Sequence, residues 1–292
     1  MIEKKWKQKS WQGTIPWSSS MKIYKYKDLF ALLTTVGWIS FIYSAFMGFH
    51  YWYLGFVFFF WFCLSILNYR HETTFWLLKN RRSRFIKYYL ALVVLGFVAD
   101  YVIGQQLVNL WSYRIYSSIS DWFRLYFLIY PLGGLSVVEL IYFLASILKE
   151  KVVLIHDDVK NLFVNKLTHV TDTILVLIIL TCLILKNFNL FNNIQIIFMI
   201  VFPIWIILTT LKLKYYIKHF THWIAIVVTT AILSIFMHEI PNVAVYEWKY
   251  YPPEFFSFQI WGISIWVVVG WYFLVLVMLK YWIQIVLLKD RK

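Results

Sequence analysis

Long apolar runs separated by short basic segments organise this chain. A helix needs roughly 20 apolar residues to cross a ~30 Å hydrocarbon core. Residues 29–67 form one apolar stretch that is too long for one helix and suits two, with a turn at Gly48-Phe49-His50. Further apolar runs cover about 88–110, 123–147, 168–186, 194–211, 220–238 and 261–287. The pattern predicts an all-α, polytopic membrane protein of about eight transmembrane helices.

The basic residues give these spans a direction. With the N-terminus inside, twenty-four Lys and Arg fall in cytoplasmic segments, counting Lys280 at the end of the last span. Only Arg114, Arg124, Lys186 and Lys249 fall outside. Such asymmetry is the positive-inside signal, and only an even number of spans preserves it. The predicted location is the cell membrane, multi-pass, with both termini cytoplasmic. The organisation is a basic, Trp-rich interfacial segment at 1–28, spans 1–4 over 29–147, a cytoplasmic loop at 148–167, spans 5–8 over 168–287 and a tail at 288–292. Segment 1–28 lacks the apolar stretch of a cleavable signal peptide. Its Trp6, Trp11 and Trp17 alternate with lysines, which suits a leaflet surface. A second short amphipathic helix is expected around Phe75-Trp76-Leu77-Leu78, upstream of the basic cluster Lys79–Lys87.

Composition agrees. Hydrophobic residues make up 61% of the chain, charged residues 14% and aromatics 22%, with mean hydropathy +0.67. Soluble, disordered and disulfide-stapled classes are excluded. The net charge of +14 belongs to topology rather than to nucleic-acid binding. Cys63 and Cys182 lie inside apolar runs and read as packing residues.

Two stretches look alike. Asp100 is followed by Trp111-Ser-Tyr113, then by a span with Tyr142-Phe-Leu144. Glu239 is followed by Trp248-Lys-Tyr250, then by a span with Tyr272-Phe-Leu274. Each reads as an acid near a helix end, a gap of about ten residues, a Trp-x-Tyr and an apolar span. Spans 3–4 and 7–8 would be equivalent pairs, giving two parallel four-helix halves.

Asp100, Trp111, Tyr113 and Ile129-Tyr130-Pro131 carry a resemblance. They resemble an uncharacterised family of small multi-pass membrane proteins from spore-forming Gram-positive bacteria, which implies a fold class but no reaction. A fainter likeness is to small intramembrane carotenoid cyclases and hydratases, which combine an intramembrane Asp, a Trp-x-aromatic and a Pro followed by Glu. Their compact Pro-x-Glu-Glu is absent. Pro131 and Glu139 stand eight apart, with no second Glu.

Intramembrane acids cost at least ~2.5–3.5 kcal/mol on insertion scales and need a reason. Asp100 and Glu139 lie deepest and are the candidate catalytic acids. Asp172 and Glu239 sit near span ends, within reach of headgroups or water. The alternative for each acid is a hydrogen bond that simply holds the bundle together. At about 100° per residue, Gln106, Asn109 and Tyr113 share a polar face of span 3 that Asp100 does not join. These three, with Trp111, His238, Glu239 and Trp248, are the candidate ligand-binding residues. Pro131, Gly133 and Gly134 interrupt span 4 beside them, as broken helices do at transporter sites.

His156-Asp157-Asp158, His169, Asp172, His219 and His222 lie toward the cytoplasmic face and read as solvated or interfacial groups rather than a metal site. Walker, GxSxG, HExxH and GxGxxG motifs are absent, and no cofactor is expected. The leading expectation is a bundle that holds a lipid or another apolar molecule, with an acid-assisted reaction. The expected partners are membrane lipids and an apolar small molecule, without nucleic acid. The alternatives are a proton-coupled secondary transporter and a structural or partner-binding subunit.

Overall fold

Each apolar run becomes a helix, the form that satisfies every backbone N–H and C=O within one segment. The computed structural model describes residues 27–49, 51–68, 71, 73–114, 116–148, 162–187, 194–216, 219–251, 258–260 and 262–287. The elements are α1 (Lys27–Phe46), α2 (Trp52–Leu67), the short α3 (Thr74–Asn80) and α4 (Arg82–Leu107). There follow β1 (Trp111–Tyr113), α5 (Ile119–Ile147), α6 (Leu162–Asn187), α7 (Ile194–Tyr216) and α8 (Phe220–Val245). The chain closes with β2 (Trp248–Tyr250), β3 (Gln259–Ile260), β4 (Ile263–Ser264) and α9 (Ile265–Trp282), which runs on as a π-turn over Ile283–Leu287.

Among the described residues five helices are long and apolar enough to cross a membrane: α1, α4, α5, α8 and α9. Helix α2 and the Val201–Leu211 part of α7 are apolar but shorter. Helix α6 leaves Val170, Ile174, Leu177, Leu180 and Ile184 exposed, three to four residues apart. A bare apolar stripe of that kind calls for lipid or another apolar surface.

The main core joins the two ends of the chain. Tyr88 and Leu92 of α4, Leu135 and Ile141 of α5, Trp223 and Ile226 of α8, and Leu276 and Trp282 of α9 are buried together. Helix α1 packs along α2, and α2 along α5; α4 packs on α5 and α8 on α9. The turn between α1 and α2 uses Gly48 in the left-handed region (φ +77°), where a Cβ is disfavoured.

Lys280, at the end of the last apolar run, is buried. It is 8% exposed and clasps both oxygens of Asp172 at 2.7 Å, tying α9 to α6. Helix α6 starts at Leu162, which puts Asp172 in its third turn. The stretch 1–26 and His156-Asp157-Asp158 lie outside the described residues, as does the side chain of His169.

Candidate functional site

The site is built on the last turns of α4 and α8 and on the strands that follow them. Helix α4 changes winding at Phe97 and runs as a π-helix to Leu107. A π-turn brings residue i+5 over residue i. Gln105 therefore stands over Asp100 and donates its Nε2 to Oδ2 at 2.9 Å. An α-helix would have put these side chains about 140° apart. The same change of winding dissolves the expected polar face. Gln106 is exposed, and its backbone carbonyl accepts a hydrogen bond from Lys186. Asn109 is exposed too, with a left-handed backbone (φ 51°) that turns the chain out of α4. Gln106 and Asn109 are thus a helix-end residue and a turn residue, and the cavity described below is lined by neither.

Asp100 is buried at 1% exposure and gathers three more donors. The Trp111 Nε1–H donates to Oδ1 at 2.5 Å and the Tyr113 hydroxyl to Oδ1 at 2.9 Å. The Tyr126 hydroxyl donates to Oδ2 at 2.6 Å, and Tyr130 meets Tyr113 hydroxyl to hydroxyl at 3.0 Å. Tyr126 and Tyr130 come from α5, whose start is fixed by a capping box between Ser118 and Asp121. Pro131 has no N–H for the carbonyl of Phe127, and the Tyr89 hydroxyl donates there instead. Gly104 lets Trp111 in, because a Cβ there would overlap the indole ring.

Glu239 repeats this arrangement. Helix α8 continues through Pro241 to Val245, so Glu239 is buried, not at a wet helix end. Its Oε2 accepts from Trp248 Nε1 at 3.2 Å and from the Tyr250 hydroxyl at 2.8 Å. Its Oε1 accepts from Trp271 Nε1 of α9 at 2.7 Å. Each acid thus takes the indole and the phenol of its own Trp-x-Tyr. In both segments the residue two before the Trp is left-handed, Asn109 at φ 51° and Tyr246 at φ 55°. The Asn242 side chain clamps the Trp248 backbone with two hydrogen bonds of 3.0 Å.

The two Trp-x-Tyr segments pair with each other. β1 and β2 run antiparallel, with Trp111 opposite Tyr250 and Tyr113 opposite Trp248. Ser112 and Lys249, between them, point outward and are exposed, as the period of two requires. The cross-strand rings sit edge-on, 6.1 Å apart for Trp111–Tyr250 and 6.3 Å for Tyr113–Trp248. Such pairs add about 0.5–1.5 kcal/mol each beyond burial. Burial, and then the neighbouring carboxyl, push the Tyr113 and Tyr250 phenols up, so both stay O–H donors.

Beneath this ribbon lies a cavity of about 170 Å³. Asp100, His238 and Glu239 line it, with Tyr53, Trp111, Tyr113, Tyr130, Phe202, Trp248, Tyr250, Trp266, Trp271 and Phe273 among its aromatic walls. Gly133 of α5 and Gly270 of α9 open its sides, where an added Cβ would touch nothing within 4 Å. His238 is 1% exposed and stacks on Trp271 at 4.9 Å. Its Nδ1 meets the Tyr53 hydroxyl at 2.8 Å, and its Nε2 has no partner among the described residues. No family model, curated protein or solved structure matches this chain significantly. The site is therefore read from its own geometry.

Glu139 is not part of it. It lies more than two helical turns beyond Tyr130 along α5, facing α3. Its carboxyl accepts from Asn68 Nδ2 at 2.8 Å, from the Thr74 backbone N–H at 3.0 Å and from the Thr74 hydroxyl. Thr74 Oγ1 in turn accepts from Trp61 Nε1 at 2.8 Å. This is a fully paired joint between α2, α3 and α5. The Tyr-Phe-Leu triplets also part company, Tyr142 meeting Trp282 and Tyr272 meeting Thr210. Among the described residues no three His, Cys, Asp or Glu side chains gather as a metal site.

Sequence reasoning named Asp100, Trp111, Tyr113, His238, Glu239 and Trp248 for this site. It left out Gln105, Tyr126, Tyr53 and Trp271. Trp271 was visible in the repeated span, and Gln105 was hidden by the π-winding.

Proposed function

We propose that this integral membrane protein holds a small, largely apolar ligand in the cavity between two halves, with Asp100 and Glu239 as the acidic groups that face it. In this reading all eight long helices cross the cell membrane. The halves are α1–α5 and α6–α9, and both chain ends are cytoplasmic. The charge asymmetry of the loops supports that topology, and moving Lys280 out of the cytoplasmic tally leaves it intact. The local two-fold relation of the ribbon supports two halves of like orientation.

The observation that carries the ligand reading is the convergence of Asp100, Glu239 and His238 on one aromatic-walled cavity. Concave, mostly apolar pockets with a few convergent polar groups are the usual form of small-molecule sites. Glu139 lies elsewhere, so the Pro131–Glu139 part of the cyclase likeness gives this reading no support.

The test is mass spectrometry of small molecules co-purified with the wild type and with Gly270→Leu. The leucine side chain enters the cavity, and its Cβ meets no neighbour. A compound enriched on the wild type and lost from the variant is expected. Identical small-molecule content in the two proteins would overturn the reading.

A further inference from the structure

We propose that the ligand of this cavity is a small organic cation, an ammonium that also carries an acceptor oxygen such as a hydroxyl. This rests on the ligand reading above and adds its chemical class. The first argument is the protonation pattern around the acids. All four carboxyl oxygens receive an N–H, a group that can only donate. Trp111 and Gln105 supply Oδ1 and Oδ2 of Asp100, at 2.5 and 2.9 Å. Trp271 supplies Oε1 of Glu239 at 2.7 Å, and the Trp248 N–H is shared between Oε2 at 3.2 Å and the Tyr250 hydroxyl at 2.8 Å. A carboxylate accepts at both oxygens, and this donor set is built for the ionised form.

The second argument is the missing counter-charge. Neither Lys nor Arg is among the lining residues. Lys280, the buried lysine of the core, is committed to Asp172. His238 forms its recorded hydrogen bond with Tyr53, and no ion pair joins it to either acid among the described residues. Two buried carboxylates without a cation are costly in low dielectric. A cationic ligand supplies the charge. The walls suit it, because indole and phenol faces attract an ammonium by cation–π contact.

The third argument is His238. Tyr53 and His238 Nδ1 share one hydrogen bond, and with the hydroxyl as its donor the imidazole hydrogen sits on Nε2, which is buried and has no partner among the described residues. A ligand oxygen would satisfy it. Size agrees: an apolar cavity of ~150 Å³ accepts benzene, and this one is about 170 Å³. A trimethylammonium on a two-carbon alcohol is of that order.

The experiment uses the full-length protein in phosphatidylglycerol nanodiscs, which contain no choline lipid, at constant ionic strength. Choline is compared with its neutral isostere 3,3-dimethylbutan-1-ol, reading tryptophan fluorescence and melting temperature. Choline should give a saturable change with at least ten-fold higher affinity than the isostere, and Gly270→Leu should abolish it. A short-chain phosphocholine lipid separates the two sources of this chemistry. Competition tighter than choline assigns a lipid headgroup, and its absence assigns a free amine. Either result fits the proposal. Equal binding of choline and the isostere, the same change with sodium chloride alone, or no choline response would overturn it. If the co-purified compound is lost from Gly270→Leu but is neutral, the ligand reading stands and the cation class alone falls.

Discussion

Trp111 and Trp248 stand on neighbouring antiparallel strands, and each donates its indole N–H to the acid on the helix before it. The distances are 2.5 Å to Asp100 and 3.2 Å to Glu239. The ribbon is thereby bolted to both helix ends, and the bolts are the polar lining of the cavity. Structure and site cannot be separated at these residues.

Gly104→Ala should loosen the Asp100 cluster without touching a titratable group. The added methyl would overlap the Trp111 ring, which is held by Asp100 and by its strand. Overpacking of this kind costs about 1–3 kcal/mol. Thermal unfolding should show a lower Tm, with the Trp111 emission shifted to the red. An unchanged Tm would mean that the indole is not seated as described.

Glu139→Gln should destabilise the protein and leave the cavity intact. Glutamine turns one acceptor into an N–H₂ facing donors from Asn68 and Thr74. Leaving such a buried group unsatisfied costs about 1–3 kcal/mol. The expected pattern is a lower Tm with the ligand content of the wild type. Loss of ligand from a variant that keeps its Tm would return Glu139 to the site.

Tyr246→Asn should stabilise. Tyr246 is 61% exposed and holds φ 55°, a region costing a non-glycine residue about 1–2 kcal/mol that Asn tolerates better. A gain of up to about 1 kcal/mol in unfolding free energy is expected. A loss would show that the tyrosine side chain makes contacts worth more than its backbone strain.

Glu247 sets a pH dependence beside the ribbon. Burial pushes its carboxyl from the ordinary 4.5 up to about 7, against smaller opposing effects of the Tyr116 hydroxyl at 2.5 Å and of the Trp52 indole. A raised acid pKa means that the folded state holds the proton more tightly than the unfolded state. No penalty exists below about pH 4.5. Stability falls as pH rises toward 7, and the full penalty, a few kcal/mol, is present above it. Glu247→Gln should flatten Tm between pH 5 and 8 relative to the wild type. An equally steep slope in the variant would assign the effect to another group.

The Asp172–Lys280 pair gives a fifth test. Asp172→Asn leaves Lys280 buried without its partner and should cost about 1–3 kcal/mol, less than a fully buried pair because Asp172 is 37% exposed. Adding Lys280→Met should recover much of that loss, as removing both charges removes the unpaired one. A double variant no more stable than Asp172→Asn would show that the pair does more than neutralise charge.

Hydropathy alone determined the helices, because a bilayer-sized apolar run has few other ways to satisfy its backbone. The acids and the two Trp-x-Tyr segments were also legible, since an acid in an apolar run and a short repeated motif are local features. Tertiary structure decided which of these residues meet. Gln105, which lay off the expected polar face, comes to stand over Asp100 because α4 winds as a π-helix, which a period of 3.6 does not anticipate. Glu239 became buried because α8 runs on through Pro241. Glu139, alike in sequence to Asp100, was drawn into a joint with Asn68 and Thr74, far away in sequence. The cavity exists only where two ribbon strands more than 130 positions apart pair over it. Contacts over such separations depend on packing and strand register, and no local pattern encodes them.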